Sequence, residues 1–465
     1  MKLIKTRYMF MVVAFASLSA LIGGCSGSRN LANANIEMPQ EYLPGLVEDS
    51  ACVADMKWWE FYTDTILARI IHTALDNNRD LLKAAATVER MRNLYGVAKA
   101  NMLPTIGGEV GANHETNNYN GDGNVNDLEF DLKFPIAWEI NLMGSLSHAK
   151  KSAGAKYIAS VEDYRAMRMI IISETASAYF NLIALESELK IVRHTLITRE
   201  EALKQAKLRF EGGLTPETVY QQAKVEYSST ASLVPDLERR VQAARNALTL
   251  LMGEFPTELF QKGDLAFNED FDGKIPVGIP STLLTRRPDL RASEMRLKAA
   301  LEEVGVAYAD RFPNLRIQLV PGFENDRLAD FFKSPFSYVL GSVTGSIFDF
   351  GRKKRKYKAM MAAYDEVRYD YEQDVISAFT EVNTAVVAYG KYRENRRLKS
   401  ELRDAAAKYV QLAHLQYMGG TLNYIDVLDA QRRYFEAQIG VNNSLRDEYL
   451  SLINLYKVLG GGWQQ

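Results

Sequence analysis

Reactive side chains are few in this sequence, and their spacing argues against catalysis. His72, His114, His148, His194 and His414 are scattered along the chain without the short intervals of a metal site, so they read as surface or packing residues. No glycine-rich phosphate loop occurs. The Asp/Glu pairs fall in long charged stretches, where a solvated helix face explains them better than acid–base work. No enzyme, metal site or cofactor is expected. A formal charge of −2 gives no basic excess for nucleic acid.

The residue with the clearest chemical destiny is Cys25. Lys2, Lys5 and Arg7 precede an apolar run from Tyr8 to Ile22 that ends in Gly23, Gly24 and Cys25. That order reads as a secretory signal peptide over 1–24, too short for a comfortable membrane-spanning helix. Ile22-Gly23-Gly24-Cys25 resembles a bacterial lipoprotein signal, which implies cleavage before Cys25, a covalent lipid on that cysteine and, with Ser26 next, export to the outer membrane. Loss of Lys2, Lys5 and Arg7 takes the net charge from −2 to −5. A lipidated Cys25 leaves Cys52 no second cysteine for an intramolecular disulfide, so the fold must stand without cross-links. Beyond the signal no run of 18 apolar residues appears, which argues against a helical membrane protein and leaves a β-barrel open.

The 465 residues, 47% hydrophobic and 25% charged, suffice for a large core, and internal repetition organises them. Asn78-Arg79-Asp80-Leu81 is echoed by Arg287-Pro288-Asp289-Leu290, and Leu103-Pro104 by Phe312-Pro313, at a shift of 209 (289 − 80; 313 − 104). Gly144 pairs with Gly351, Gly212-Gly213 with Gly419-Gly420, and Leu251-Met252-Gly253 with Val458-Leu459-Gly460, at 207 (351 − 144; 420 − 213; 460 − 253). Five landmarks in one order mark a duplication.

Each copy holds a long proline-free run, Ser145 to Phe210 and Arg352 to Met418, rich in Ala, Glu, Lys, Leu and Arg. Both read as helices of about 100 Å at 1.5 Å per residue, stopped by Gly-Gly and followed by shorter helices, Pro216 to Leu251 and Asn423 to Leu459. Before each long helix the period changes to two. Leu128, Phe130, Leu132, Phe134 and Ile136 alternate with Glu129, Asp131, Lys133, Pro135 and Ala137. Thr105 to Asn113 is a weaker partner strand, joined to it by the loop His114 to Asp127. In the second copy Leu315, Ile317 and Leu319 alternate with Arg316, Gln318 and Val320. A loop at Glu324 to Phe336 and a strand from Tyr338 to Phe348 follow. Four strands of about ten residues fit a membrane barrel but cannot close one, and open strand edges are not tolerated in hydrocarbon, so several copies must associate.

Trp58-Trp59 with Phe61, Ile279-Pro280-Ser281 through Leu284 to Arg286-Arg287-Pro288-Asp289-Leu290, and Leu455-Tyr456-Lys457 with Leu459-Gly460-Gly461-Gly462-Trp463 resemble the signatures of TolC-like outer-membrane efflux proteins. Within that family the resemblance is to the lipoprotein branch serving resistance-nodulation-division pumps. Asn141 stands where that family often has Asp, and Phe350 where it often has Gly. The resemblance implies a mainly α fold with a membrane β-barrel: a homotrimer in which twelve strands, four per protomer, form one barrel above a periplasmic α-helical barrel. It implies an equatorial region and a passive exit duct, fed by an inner-membrane transporter through a periplasmic adaptor. The expected segments are 25–104 (anchor, equatorial segment and first helices), 105–143 (first hairpin), 144–253 (first helical hairpin) and 254–312 (equatorial link and helix). The hairpin 313–350, the helical hairpin 351–459 and a tail, 460–465, complete the chain.

Two carried-over sites follow from the resemblance. The helix reversals containing Gly212, Gly213, Leu214 and Thr215, and Gly419, Gly420 and Thr421, would face the adaptor. The residues matching Ile425, Asp429 and Arg432 line the tunnel constriction, and their spacing of four and three puts them on one helical face. An ordinary surface pair between Asp429 and Arg432 is the simpler reading of the same residues. Two further functions stay open: a duct for type I protein secretion, and an anchored periplasmic coiled coil that conducts nothing.

Overall fold

The computed structural model describes residues 52–117, 125–256, 278, 282–346 and 348–463. Cys25 and the signal peptide lie outside the described residues, as do Ile279-Pro280-Ser281 and most of the mid-chain link. The described helices are α1 (Trp58–Phe61), α2 (Thr65–Asn77), α3 (Arg79–Ala100), α4 (Ser145–Glu211), α5 (Glu217–Leu251), α6 (Leu283–Arg286), α7 (Pro288–Ala309), α8 (Arg352–Met418) and α9 (Tyr424–Val458). The strands are β1 (Thr105–Ile106), β2 (Glu109–Asn117), β3 (Val125–Lys133), β4 (Ile136–Ile140), β5 (Asn314–Asn325) and β6 (Pro335–Thr344).

The duplication is visible in helix lengths. α4 and α8 have 67 residues each, α5 and α9 have 35 each, and α3 and α7 have 22 each. Gly144 and Gly351 sit at the N-caps of the two longest helices with φ of 78° and 79°, a left-handed conformation that glycine adopts at little cost. Sixty-seven residues give a helix of about 100 Å. Such helices need packing along their length, and α4 lies against α3, α5 and α7 while α8 lies against α7 and α9. α4 also contains an 18-residue window apolar enough by composition to cross a membrane, but most of it is buried inside the protomer, so it serves as core. Pro235 lies inside α5, on its exposed side, where the lost backbone hydrogen bond is least damaging.

The main core gathers where the middle of α4 meets the C-terminal ends of α5 and α9. Trp58 and Phe61 of α1, Ile172 and Phe180 of α4, Leu248 of α5 and Tyr456 of α9 are buried there. Phe61 and Tyr456 stack at 4.2 Å, and the Tyr456 hydroxyl donates to the carbonyl of Met56 at 2.7 Å. Cys52 is buried in the same cluster, and desolvation pushes its thiol pKa up.

The glycines of the C-terminal motif are fitted to this core. Gly460 has φ of 88° against the Arg286 backbone, and a Cβ on Gly461 would run into the Tyr456 ring. Trp463 closes the motif with Arg165 and Arg291 over its ring at 5.3 and 5.8 Å. Arg287, buried at the start of α7, donates to Asp289 at 2.6 Å, Glu381 at 2.7 Å and the Val458 carbonyl at 3.4 Å. Burial opposes its charge, but the two carboxylates outweigh it and raise its pKa.

Both hairpins join in a single antiparallel sheet. β1 and β2 form one interrupted strand, and β3 and β4 form a second, paired to the first. β5 bonds to β3 and β4 on one side and to β6 on the other. The expected strand from Leu128 to Ile136 is broken at Phe134-Pro135, since proline has no N–H for the ladder. Opposite the break, the Gly107 amide donates to the Pro135 carbonyl at 2.9 Å. The last strand runs Pro335–Thr344 rather than Tyr338 to Phe348, and the preceding turn shrinks to Asp326 through Ser334. Pro335 is tolerated because it is the first residue of an outer strand.

Candidate functional site

Register assigns the sheet two chemically distinct faces. Cross-strand pairs Ile106–Ile136, Val110–Leu132, Ile136–Leu319, Trp138–Ile317, Leu319–Val339 and Leu315–Val343 put apolar residues together on one face. This face stands open: Val110 is 82% and Val339 72% exposed, and Leu128, Phe134, Trp138 and Leu319 are exposed as well. The other face carries Glu109 opposite Lys133, Glu115 opposite Asp127, and Glu139 opposite Arg316. Asp131 is buried on it, with Lys133 at 3.3 Å.

A soluble sheet would bury its apolar face and wet its charged one; here both faces are open, as in a strand wall with lipid outside and water inside. β5 has 12 residues, or about 40 Å at 3.3 Å per residue, enough to cross a bilayer core when tilted. Trp138 lies near the helical end of the apolar band, its indole donating to the Met102 carbonyl at 3.0 Å. Phe323, Phe331 and Phe332 cluster at the far end with ring centroids 5.1 to 6.4 Å apart. Aromatic girdles flank the lipid-facing band of membrane barrels in this way.

At the opposite ends of the long helices are the two reversals. Of each glycine pair only the second member is left-handed: Gly213 has φ of 69° and Gly420 of 75°, whereas Gly212 and Gly419 have −78° and −80°. The Leu214 amide donates to Arg209 O at 2.8 Å and the Thr421 amide to Gln416 O at 2.9 Å, satisfying late carbonyls of each helix. Thr215 follows Leu214 at the entry to α5. Arg209 links the two reversals, donating to the Tyr417 hydroxyl with its guanidinium 5.8 Å from that ring.

Ile425, Asp429 and Arg432 share one side of α9, while Val427 and Ala430 are buried against Ala413. Ile425 is 54% exposed. Asp429 accepts from Arg432 Nη2 at 2.5 Å and from Arg433 Nε at 2.8 Å. The Arg433 hydrogen bond is the main cause that holds the Asp429 carboxyl below the usual carboxylate range, with Arg432 adding to it. Sequence reasoning overlooked Arg433, although its spacing of four from Asp429 was a usable signal. It also missed the contact of Arg209 with Tyr417, which depends on how the two copies pack. Behind this face, Arg199 of α4 is buried against Glu226 at 2.9 Å and lies 5.3 Å from the Phe435 ring. Burial lowers its pKa.

The family profile described as "Outer membrane efflux protein" matches residues 70–254 and 279–461, one stretch for each copy. The chain belongs to this family. The toluene efflux pump outer membrane protein TtgI of Pseudomonas putida is 30% identical over 457 residues, covering 95% of this chain and 96% of TtgI. The probable outer membrane lipoprotein SilC of Salmonella typhimurium is 28% identical over 411 residues, 88% of each chain. A crystal structure of CusC, described for conformational changes accompanying folding and transmembrane channel formation, superposes with a TM-score of 0.85 at 25% identity. It covers 94% of this chain and 100% of CusC. The protein is thus an outer-membrane efflux channel component. Among the described residues no group of His, Cys, Asp and Glu is placed to hold a metal.

Proposed function

We propose that three copies close into one channel, the exit duct for drugs or other small molecules in a tripartite pump. An inner-membrane resistance-nodulation-division transporter would feed it through a periplasmic adaptor, and a lipid on Cys25 would anchor it. The observation that carries this reading is the sheet: four antiparallel strands with one apolar face, β1–β2 at one border and β6 at the other, each paired on one side only among the described residues. Twelve strands from three protomers satisfy both borders, and unsatisfied backbone in hydrocarbon costs several kcal/mol per group. Efflux as the task is supported by the relatives, TtgI being named for toluene and SilC as a lipoprotein.

The helix reversals at Gly212, Gly213, Leu214 and Thr215 and at Gly419, Gly420 and Thr421 are the proposed adaptor-facing surface. Ile425, Asp429 and Arg432, joined by Arg433, are the proposed constriction, where symmetry would bring three copies of Asp429 together. The test is mass by light scattering in detergent together with conductance in a planar bilayer. A trimer giving discrete channel steps is expected; a stable monomer, or a trimer that never conducts, refutes the reading.

A further inference from the structure

The second long helix opens with Arg352, Lys353, Lys354, Arg355, Lys356 and Lys358, six cations within seven residues. The first copy, 207 residues earlier, has Ser145, Leu146, Ser147, His148, Ala149 and Lys151 at the same positions. Both sequences start a helix of 67 residues behind a left-handed glycine, so the helix itself does not require the charge. Clustered like charges cost self-repulsion unless something negative meets them.

Three observations say what meets them. The cluster begins a few residues beyond Thr344, where β6 ends, and therefore lies at the helical border of the apolar band. A cleft of about 400 Å³ opens there between the α8 start and the sheet, lined by Arg352, Lys353 and Lys356 together with Asp310, Asn314 and Thr344. Lys356 is paired with Asp310 at 2.9 Å, while Arg352, Lys354, Arg355 and Lys358 are exposed. Tyr357 is the member turned to the protein, its ring 5.7 Å from Tyr308 and 5.6 Å from the Arg311 guanidinium.

Beside the cluster, Phe348 and Phe350 form an edge-to-face pair at 4.6 Å and are both largely exposed, Phe350 at 84%. Phe350 has φ of 52°, the one non-glycine residue with positive φ among those described. An exposed aromatic held in a strained backbone conformation points to a role outside the protomer's own packing. Exposed aromatics next to a row of Lys and Arg match the region where hydrocarbon gives way to headgroups.

We propose that Arg352, Lys353, Lys354 and Arg355, with Phe348 and Phe350, form a collar that binds the phosphodiester headgroups of anionic phospholipids in the periplasmic leaflet. The guanidinium and ammonium groups contact phosphate oxygens, and the two phenylalanines enter the upper acyl region. The inference rests on the outer-membrane channel reading, which orients the helical end of the band toward the periplasm.

The test follows thermal dissociation of the purified trimer in non-ionic detergent, with phosphatidylglycerol or phosphatidylcholine of matched chains added, and with glycerol 3-phosphate. Phosphatidylglycerol should raise the dissociation temperature at concentrations about tenfold lower than phosphatidylcholine, and glycerol 3-phosphate should have no effect. Arg352→Gln/Lys353→Gln/Lys354→Gln/Arg355→Gln should respond equally to the two lipids. Should that variant not assemble, Lys353→Gln/Lys354→Gln is expected to lose part of the preference. Phe350→Gly, which relieves the positive φ, should weaken lipid retention without lowering the dissociation temperature in detergent alone. Equal lipid responses of the unaltered protein, or a preference kept by the fourfold variant, would overturn the collar. So would a fourfold variant that dissociates at lower temperature without any lipid, because the charges would then serve subunit contact. Failure to insert into phosphatidylcholine vesicles would instead count against the channel reading.

Discussion

The indole of Trp463 donates to the carbonyl oxygen of Arg286 at 2.9 Å, closing a contact across 177 residues. It joins the last described residue to the motif that begins α7. Trp463→Ala removes this bond and the ring between Arg165 and Arg291 and should cost about 1–3 kcal/mol. The measurement is the temperature at which the assembled protein dissociates on a gel, expected to fall.

Gly461→Ala should be worse than Gly419→Ala. A methyl at Gly461 would overlap the ring of the buried Tyr456, whereas one at Gly419 would sit 3.5 Å from the Leu415 carbonyl at an ordinary helical φ. About 1–3 kcal/mol is expected for the first and well under 1 for the second. Denaturation of the two variants in parallel decides it; equal stability would show that Tyr456 moves aside freely.

Leu319 and Gln318 are neighbours on β5 and face opposite sides of the sheet. Leu319→Arg would place a charge in lipid, at about 2–4 kcal/mol near mid-bilayer, while Gln318→Arg would place it on the face that carries Glu139 and Arg316. Outer-membrane yield of assembled protein should drop sharply for the first and stay near normal for the second.

Arg432→Glu should loosen the proposed constriction more than Asp429→Ala, because it exchanges a cation that compensates the Asp429 ring for a further negative charge, whereas Asp429→Ala removes only the carboxylate that holds Arg432 and Arg433. Both variants are expected to raise single-channel conductance and to admit vancomycin-sized solutes into cells. Unchanged conductance and uptake in an assembled Asp429→Ala/Arg432→Ala variant would place the constriction elsewhere.

The same carboxylate sets a pH dependence. Its folded pKa is depressed, chiefly by Arg433, so its contribution is complete above the unfolded value of about 3.9 and is lost as pH falls through the folded value. Conductance should be flat from neutral pH down to about 4 and rise only in more acid solution. Asp429→Asn should abolish that rise.

Cys25→Ser should end palmitate labelling while leaving outer-membrane insertion in place, since burial of the strand band far exceeds the contribution of one lipid anchor. A serine variant that still incorporates palmitate would refute lipidation at this residue.

Helix extents and the duplication were legible because proline, glycine pairs and charge-rich composition act locally, and a repeat offset of 207 needs no folding to be seen. The strand limits were less so. Pro135 interrupts a run whose alternation continues through Trp138, and β6 is apolar on both faces around Tyr338, Val339 and Leu340, so period alone could not set its ends. The contact of Arg209 with Tyr417 arises from packing between the two copies, and that of Arg287 with Glu381 from packing of the α7 start on α8 within the second copy, neither of which a local pattern encodes. Ile425, Asp429 and Arg432 were chosen by resemblance, and spacing could say only that they share a face.

The open borders of the sheet bear on inheritance as well as on architecture. If a protomer completes its wall only with two others, a cell carrying one sound and one defective allele in equal amounts assembles about an eighth of its channels from sound chains alone. A substitution that spares assembly but holds the tip shut would then act as a dominant trait. One that prevents strand pairing would be recessive, because its product never enters the mixture.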